Sequence, residues 1–103
     1  MNLGHMRQVI GGKRYDTKTA TLLASNEYWD GNNWERSGTN TWLFRTARGR
    51  YFFAHRTMWQ GSVDSIEPCE EGEALEFFEA MEPHGTQEMT YEEAFPGAAI
   101  EEA

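Results

Sequence analysis

Three histidines, one cysteine and seventeen acids are the side chains from which this chain could build a reaction. His5, His55 and His84 are too widely spaced for two of them to hold one metal from a single element, and Cys69 alone cannot complete a cysteine cage. Cys69 falls at a helix start, where a thiolate can be stabilised. Glu67, Glu70 and Glu71 surround it, however, and like charge raises a thiol's pKa. Glycosidase-type work needs two carboxyls in a cleft with separate environments, whereas Glu73, Glu76, Glu79 and Glu82 share one polar helical face. The run Glu70-Glu71-Gly72-Glu73 lacks the alternating oxygen ligands of a calcium loop. Gly11-Gly12-Lys13 lacks both the upstream glycine spacing and the following Ser or Thr of a phosphate loop. The expectation is a protein without a catalytic site, metal or cofactor.

What the residues do offer is charge. Residues 1–56 hold all nine Lys and Arg against four acids, and residues 57–103 hold thirteen acids and no Lys or Arg, within a net charge of −8. On a helix over 70–82 the glutamates at 73, 76, 79 and 82 step through about half the circumference at about 100° per residue. Neighbouring acids then stand roughly 5–6 Å apart, comparable with phosphates along a nucleic-acid strand, so the face could occupy an Arg/Lys-lined channel. Glu92 and Glu93 extend it. The partner this suggests is a basic nucleic-acid-binding protein. The plainer alternative is a solvated acidic face with an acidic tail.

The basic half gives a second candidate surface. Arg36, Arg45, Arg48, Arg50 and Arg56 lie among Trp42, Tyr51, Phe53 and Trp59. Arginine beside strand aromatics can stack single-stranded nucleic acid. The net negative charge works against phosphate attraction, so direct nucleic-acid binding through Arg45, Arg48, Arg50, Arg56, Tyr51 and Trp59 is the rival reading. In the plainer alternative these arginines pair with the acids of the C-terminal half.

These surfaces must be positioned by a small set of elements. Residues 39–58 alternate as a hairpin: Trp42, Phe44 and Thr46 on one face, Thr41, Leu43 and Arg45 on the other, with Tyr51, Phe53 and His55 alternating after the turn. Ala47-Arg48-Gly49 suits a three-residue loop with Gly49 in the left-handed region. Apolar groups on both faces place the pair mid-sheet, with a helix on one face and Trp29, Trp34 or Trp59 over the other. Upstream, Arg7–Ile10, Gly11-Gly12 and Lys13-Arg14-Tyr15 read as a short hairpin. Asp16 and Thr17 read as caps of a two-turn helix over residues 18–24, with Ala20, Leu23 and Ala24 on one face. Residues 27–36 suggest a second hairpin, or a twisted strand with a bulge, around Gly31-Asn32-Asn33. Residues 63–67 alternate as a last strand ended by Pro68. A helix then runs to Met81 on the stripe Ala74, Phe77, Phe78 and Met81, stopped by Pro83. Thr90 with Glu93 forms a capping box for a short helix 91–95, from which Tyr91 and Phe95 could dock. The fold class is α+β: an antiparallel sheet of four to six strands with two helices and a short C-terminal helix.

One hundred and three residues suit one domain. Residues 6–82 form it, and residues 83–103 read as an acidic extension. Gly4-His5-Met6 resembles a cloning scar with Met6 as the natural start, so residues 1–5 are set aside. Fourteen aromatics argue against disorder. No apolar run reaches the roughly 20 residues of a membrane span, and no basic region leads into an apolar segment as in a signal peptide. The expected location is the cytoplasm of a bacterial host cell.

The segment Ile10-Gly11-Gly12-Lys13-Arg14-Tyr15-Asp16-Thr17-Lys18-Thr19-Ala20 resembles the opening of a group of small, uncharacterised proteins of bacteria and their mobile elements. The likeness continues through the strand from Trp42 to Phe53 and the helix around Glu73-Ala74-Leu75-Glu76-Phe77-Phe78. It covers roughly residues 7–82 and brings no activity or site residues with it. Small size, acidity and the absence of a catalytic motif together resemble an anti-CRISPR inhibitor of phage, an analogy of class. That class implies stoichiometric inhibition, with Glu73, Glu76, Glu79, Glu82, Glu92 and Glu93 meeting the basic groove of a CRISPR effector subunit. A small protein-interaction module with no nucleic-acid partner is the remaining alternative.

Overall fold

A computed structural model of the chain describes residues 5–26, 39–57, 64–82 and 86–97, with Thr39 and Thr57 described by their backbone alone. The elements run β1 (Arg7–Ile10), β2 (Lys13–Asp16), β3 (Thr21–Ser25), β4 (Thr39–Arg45), β5 (Tyr51–Thr57), β6 (Ser65–Cys69), α1 (Glu71–Ala80) and α2 (Tyr91–Ala94). β3-β4-β5-β6 form an antiparallel sheet in that order, and β1 and β2 form a separate two-stranded ribbon. The class is α+β, with one full helix and one of a single turn among the described residues.

β4 and β5 lie in the middle of the sheet because their side chains are apolar on both faces. One face carries Trp42, Phe44, Phe52 and Ala54, all buried. Phe44 and Phe52 are cross-strand partners with stacked rings, centroids 5.2 Å apart. The β1–β2 ribbon lies on this face through Tyr15, whose ring meets Phe52 edge-on at 5.4 Å. Trp29, Trp34 and Trp59, expected as its cover, lie outside the described residues, as do the hairpin expected over 27–36 and Pro83. The opposite face carries Leu43, Tyr51 and half-buried Phe53, and it receives Ala74 and Phe78 of α1 and Ala94 of α2.

The turns follow their glycines. Gly11 and Gly12 take φ values of 58° and 76°, as a two-residue hairpin turn requires. Gly49, at φ 83°, closes the three-residue loop held by Thr46 N–H donating to the Arg50 carbonyl at 2.8 Å.

One element differs in type from its expectation. Residues 18–24 are not a helix: residues 17–20 make a turn and β3 follows. Asp16 does receive the Lys18 N–H on its side chain at 2.8 Å, as a cap would, and its carbonyl accepts from Ala20 at 3.1 Å. The chain then leaves the turn, because Thr19 and Thr21 are β-branched and favour extended backbone. The Leu23-Ala24 adjacency that imitated a helical stripe comes from a β-bulge. Leu22 pairs with Phe44 and Ala24 with Leu43, so Leu23 is the extra residue. The bulge sends both Leu23 and Ala24 into one core, while Ala20 packs against the other.

β6 continues through Pro68 to Cys69, past the expected stop. A proline fits there because β6 is the edge strand of the described sheet. At the opposite edge, residues 86–88 lie along β3. Thr86 accepts from Ser25 N–H at 3.2 Å, Gln87 bridges Ala24, and Glu88 N–H donates to Leu23 at 2.8 Å.

α1 starts where Glu70 and Glu73 form a reciprocal capping box and ends at Ala80, with Met81 as its C-cap. α2 has the expected box: Thr90 Oγ1 accepts from Glu93 N–H at 3.3 Å, and Glu93 accepts from Thr90 N–H at 3.1 Å. The segment read as an extension therefore contributes to the core. Phe95 is fully buried, with its ring 5.3 Å from Phe78 and 5.4 Å from Tyr51.

Candidate functional site

The acidic candidate is built by α1. Its inward side is Ala74 and Phe78, with Leu75, Phe77 and Met81 half-buried beside them. At 100° per residue, Glu73, Glu76 and Glu79 then occupy about 120° of the opposite side. All three are exposed. Glu82 is exposed too, but it lies beyond the helix, which ends at Ala80. Among the described residues, the ion pairs are His5–Asp16, His55–Glu67 and Arg56–Asp64, so none neutralises Glu73, Glu76, Glu79, Glu82 or Glu92. No basic residue sits in the last turn of α1, where a cation would offset the helix dipole. Two of the six candidates also have local work. Glu73 accepts from Glu70 N–H at 3.2 Å, and Glu93 holds the α2 box, where the Thr90 N–H and hydroxyl draw its pKa below the usual carboxylate value.

The structure does not bring the arginine–aromatic set into one surface. Arg45 reaches across to the end of α2, where its Nη1 donates to the carbonyls of Glu93, at 2.8 Å, and Ala94. It caps backbone groups that a helix end leaves without partners. Arg56, near the other end of the hairpin, pairs with Asp64 at 3.8 Å. Tyr51 is buried, and its hydroxyl donates to Glu71 at 3.4 Å. Trp42 is buried, and Phe53 is engaged edge-on with Phe77. Trp59 and Arg36 lie outside the described residues. Arg48 and Arg50 remain, exposed on the β4–β5 loop.

Those two arginines meet residues that the chain pattern did not single out. Tyr15 seats the β1–β2 ribbon on Phe52, which carries Lys13 and Arg14 up to the β4–β5 loop. Between turn and loop lies a cleft of about 480 Å³ lined by Lys13, Arg14, Arg48 and Arg50, with Thr19 and Thr46. Among the described residues no carboxylate lines it. A neighbouring cleft of about 360 Å³ has the opposite character, with Glu70, Glu71 and Glu73 along it, and Arg50 borders both. Lys13 and Arg14 are separated from Arg48 and Arg50 by more than thirty positions. The packing of the ribbon on the sheet, with Tyr15 on Phe52 and Met6 and Ile10 on the same core, joins them, and no spacing in the sequence foretells it.

The remaining reactive groups are occupied. His55 sits between Thr41 Oγ1, 2.9 Å from Nδ1, and Glu67, 2.9 Å from Nε2. The order hydroxyl–histidine–carboxylate resembles a nucleophile triad, but neither cleft described above includes these residues. Cys69 is half-buried, and burial with Glu73, Glu67 and Glu70 pushes its thiol up to about 12, the protonated and unreactive form. Among the described residues no cluster of His, Cys, Asp and Glu could hold a metal ion, and no helix is long and apolar enough to cross a membrane.

No family model, curated protein or solved structure matches this chain.

Proposed function

We propose that the protein acts by binding alone, as a stoichiometric inhibitor whose acidic surface occupies the basic nucleic-acid groove of a partner protein. The observation that carries this reading is the outer side of α1. Glu73, Glu76 and Glu79 stand exposed opposite the buried face, and no cation among the described residues neutralises them. Holding like charges three residues apart costs a helix a few tenths of a kcal/mol per pair. A basic groove would convert that cost into attraction and would steer the encounter. The likeness to anti-CRISPR inhibitors makes the DNA channel of a CRISPR effector the first partner to test, in the cytoplasm of a bacterial host.

The test is a pull-down of an effector complex with and without its target DNA, using the wild-type chain and the Glu76→Lys/Glu79→Lys variant. Glu73 is spared because it caps α1. The expected result is capture that target DNA competes away, that weakens with salt, and that falls roughly tenfold or more on charge reversal. Capture indifferent to both salt and reversal would sink the proposal.

A further inference from the structure

We propose that the cleft between the β1–β2 turn and the β4–β5 loop is a binding site for a ligand carrying two or more phosphate groups. It is independent of the acidic face of α1 and uses none of its residues.

Four of the nine cations of a chain with net charge −8 converge on this one cleft. Among the described residues, the side chains of Lys13, Arg14, Arg48 and Arg50 make no ion pair or hydrogen bond. Like charges gathered in this way repel, and an anion removes the repulsion. The acids that could neutralise them, Glu70, Glu71 and Glu73, line the neighbouring cleft instead.

The chemistry of the lining selects phosphate. Arginine presents a planar fork of donors that matches phosphate oxygens two at a time, and lysine adds a point charge. Thr46 lines the same wall, and its hydroxyl accepts from Arg50 N–H at 3.1 Å, which leaves its own proton as a neutral donor. The volume of about 480 Å³ lies within the roughly 300–1,000 Å³ of small-ligand sites. Four cations balance more charge than one phosphate carries, which sets the ligand at two or more. Among the described residues that line the cleft the one aromatic ring is that of Tyr15, which is buried and engaged with Phe52. Recognition therefore goes to phosphate groups, which come either from a small polyphosphate solute or from a single-stranded nucleic-acid backbone.

The experiment is calorimetric titration of the full chain at low salt with sodium tripolyphosphate and, in a parallel arm, with a short oligothymidylate. The expected result is binding that weakens about tenfold in Arg48→Ala and again in Arg50→Ala. It is unchanged in Arg7→Ala, which removes a cation from β1 outside the cleft. Tighter binding of tripolyphosphate identifies a small solute as the source, and tighter binding of the oligothymidylate identifies a nucleic-acid backbone. Silence of both ligands overturns the proposal. So does binding that survives Arg48→Ala and Arg50→Ala, or that falls equally in Arg7→Ala.

Discussion

Cys69 shows how its surroundings decide a side chain's chemistry. Its thiol titrates near 12 in the fold, chiefly through burial and then through Glu73, Glu67 and Glu70, against about 8.5 for an unfolded cysteine. A raised pKa means that the folded state prefers the neutral thiol. The associated stability is complete below about 8.5 and is lost as pH rises toward about 12. At pH 8 the native protein should react with iodoacetamide at least roughly a hundredfold more slowly than the same chain in urea. Equal rates would show that the thiol is not held in this way. Glu93 titrates in the opposite direction. Its carboxylate is held low by the Thr90 N–H and hydroxyl, so its contribution is present above the unfolded value near 4.3 and lost as pH falls through the depressed one. Thr90→Ala should lower stability by about 1 kcal/mol in denaturant unfolding. It should also flatten the acid limb of the melting temperature against pH, and an unchanged limb would separate Glu93 from the cap.

At the scale of elements, the C-terminal segment is structural. Phe95→Ala removes a fully buried ring that meets Phe78, Tyr51 and Tyr91 and should cost about 3–5 kcal/mol. A loss below about 1 kcal/mol in urea titration would mean that α2 is only a loose appendage. Gly49→Ala meets no atom within 4 Å of the new Cβ, so its cost is backbone strain alone at φ 83°, about 1–2 kcal/mol. The elements whose signals are local were legible in the sequence: the Gly11-Gly12 turn, the Gly49 loop, the alternation of β4 and β5, the Thr90–Glu93 box and the Ala74–Phe78 stripe. β3 was not. Its bulge buries two consecutive residues, and that pattern is the same as a helical i, i+1 edge unless the partner strand is known. The acidic side of α1 was equally legible, since helical period alone places it. The basic cleft was not, because two turns remote in sequence meet through tertiary packing, with Tyr15 set on Phe52.

Across the whole molecule, charge is sorted rather than mixed. The basic cleft gathers on turns at one pair of hairpins, and α1 presents acids without neutralising partners among the described residues. Such sorting lowers stability through self-repulsion, so relieving it should be visible without any ligand. Glu79→Lys places a cation near the C-terminal end of α1, where the dipole favours it, and should raise stability by a few tenths of a kcal/mol. A variant both more stable and poorer at capturing an effector complex would mark the acid as kept for recognition. Unfolding in denaturant measures the first effect, and a destabilised Glu79→Lys would show that the acid has a structural partner.

The two edges of the sheet carry a further consequence. Along β3 the backbone is already occupied by residues 86–88. Along β6 a proline interrupts the row of N–H donors, with the exposed carboxylate Glu67 beside it. Among the described residues, a sheet closed at one margin by its own chain and blunted at the other offers a neighbour no long unbroken edge. The most hydrophobic strands, β4 and β5, are thereby held inside the sheet, where they cannot template a fibre.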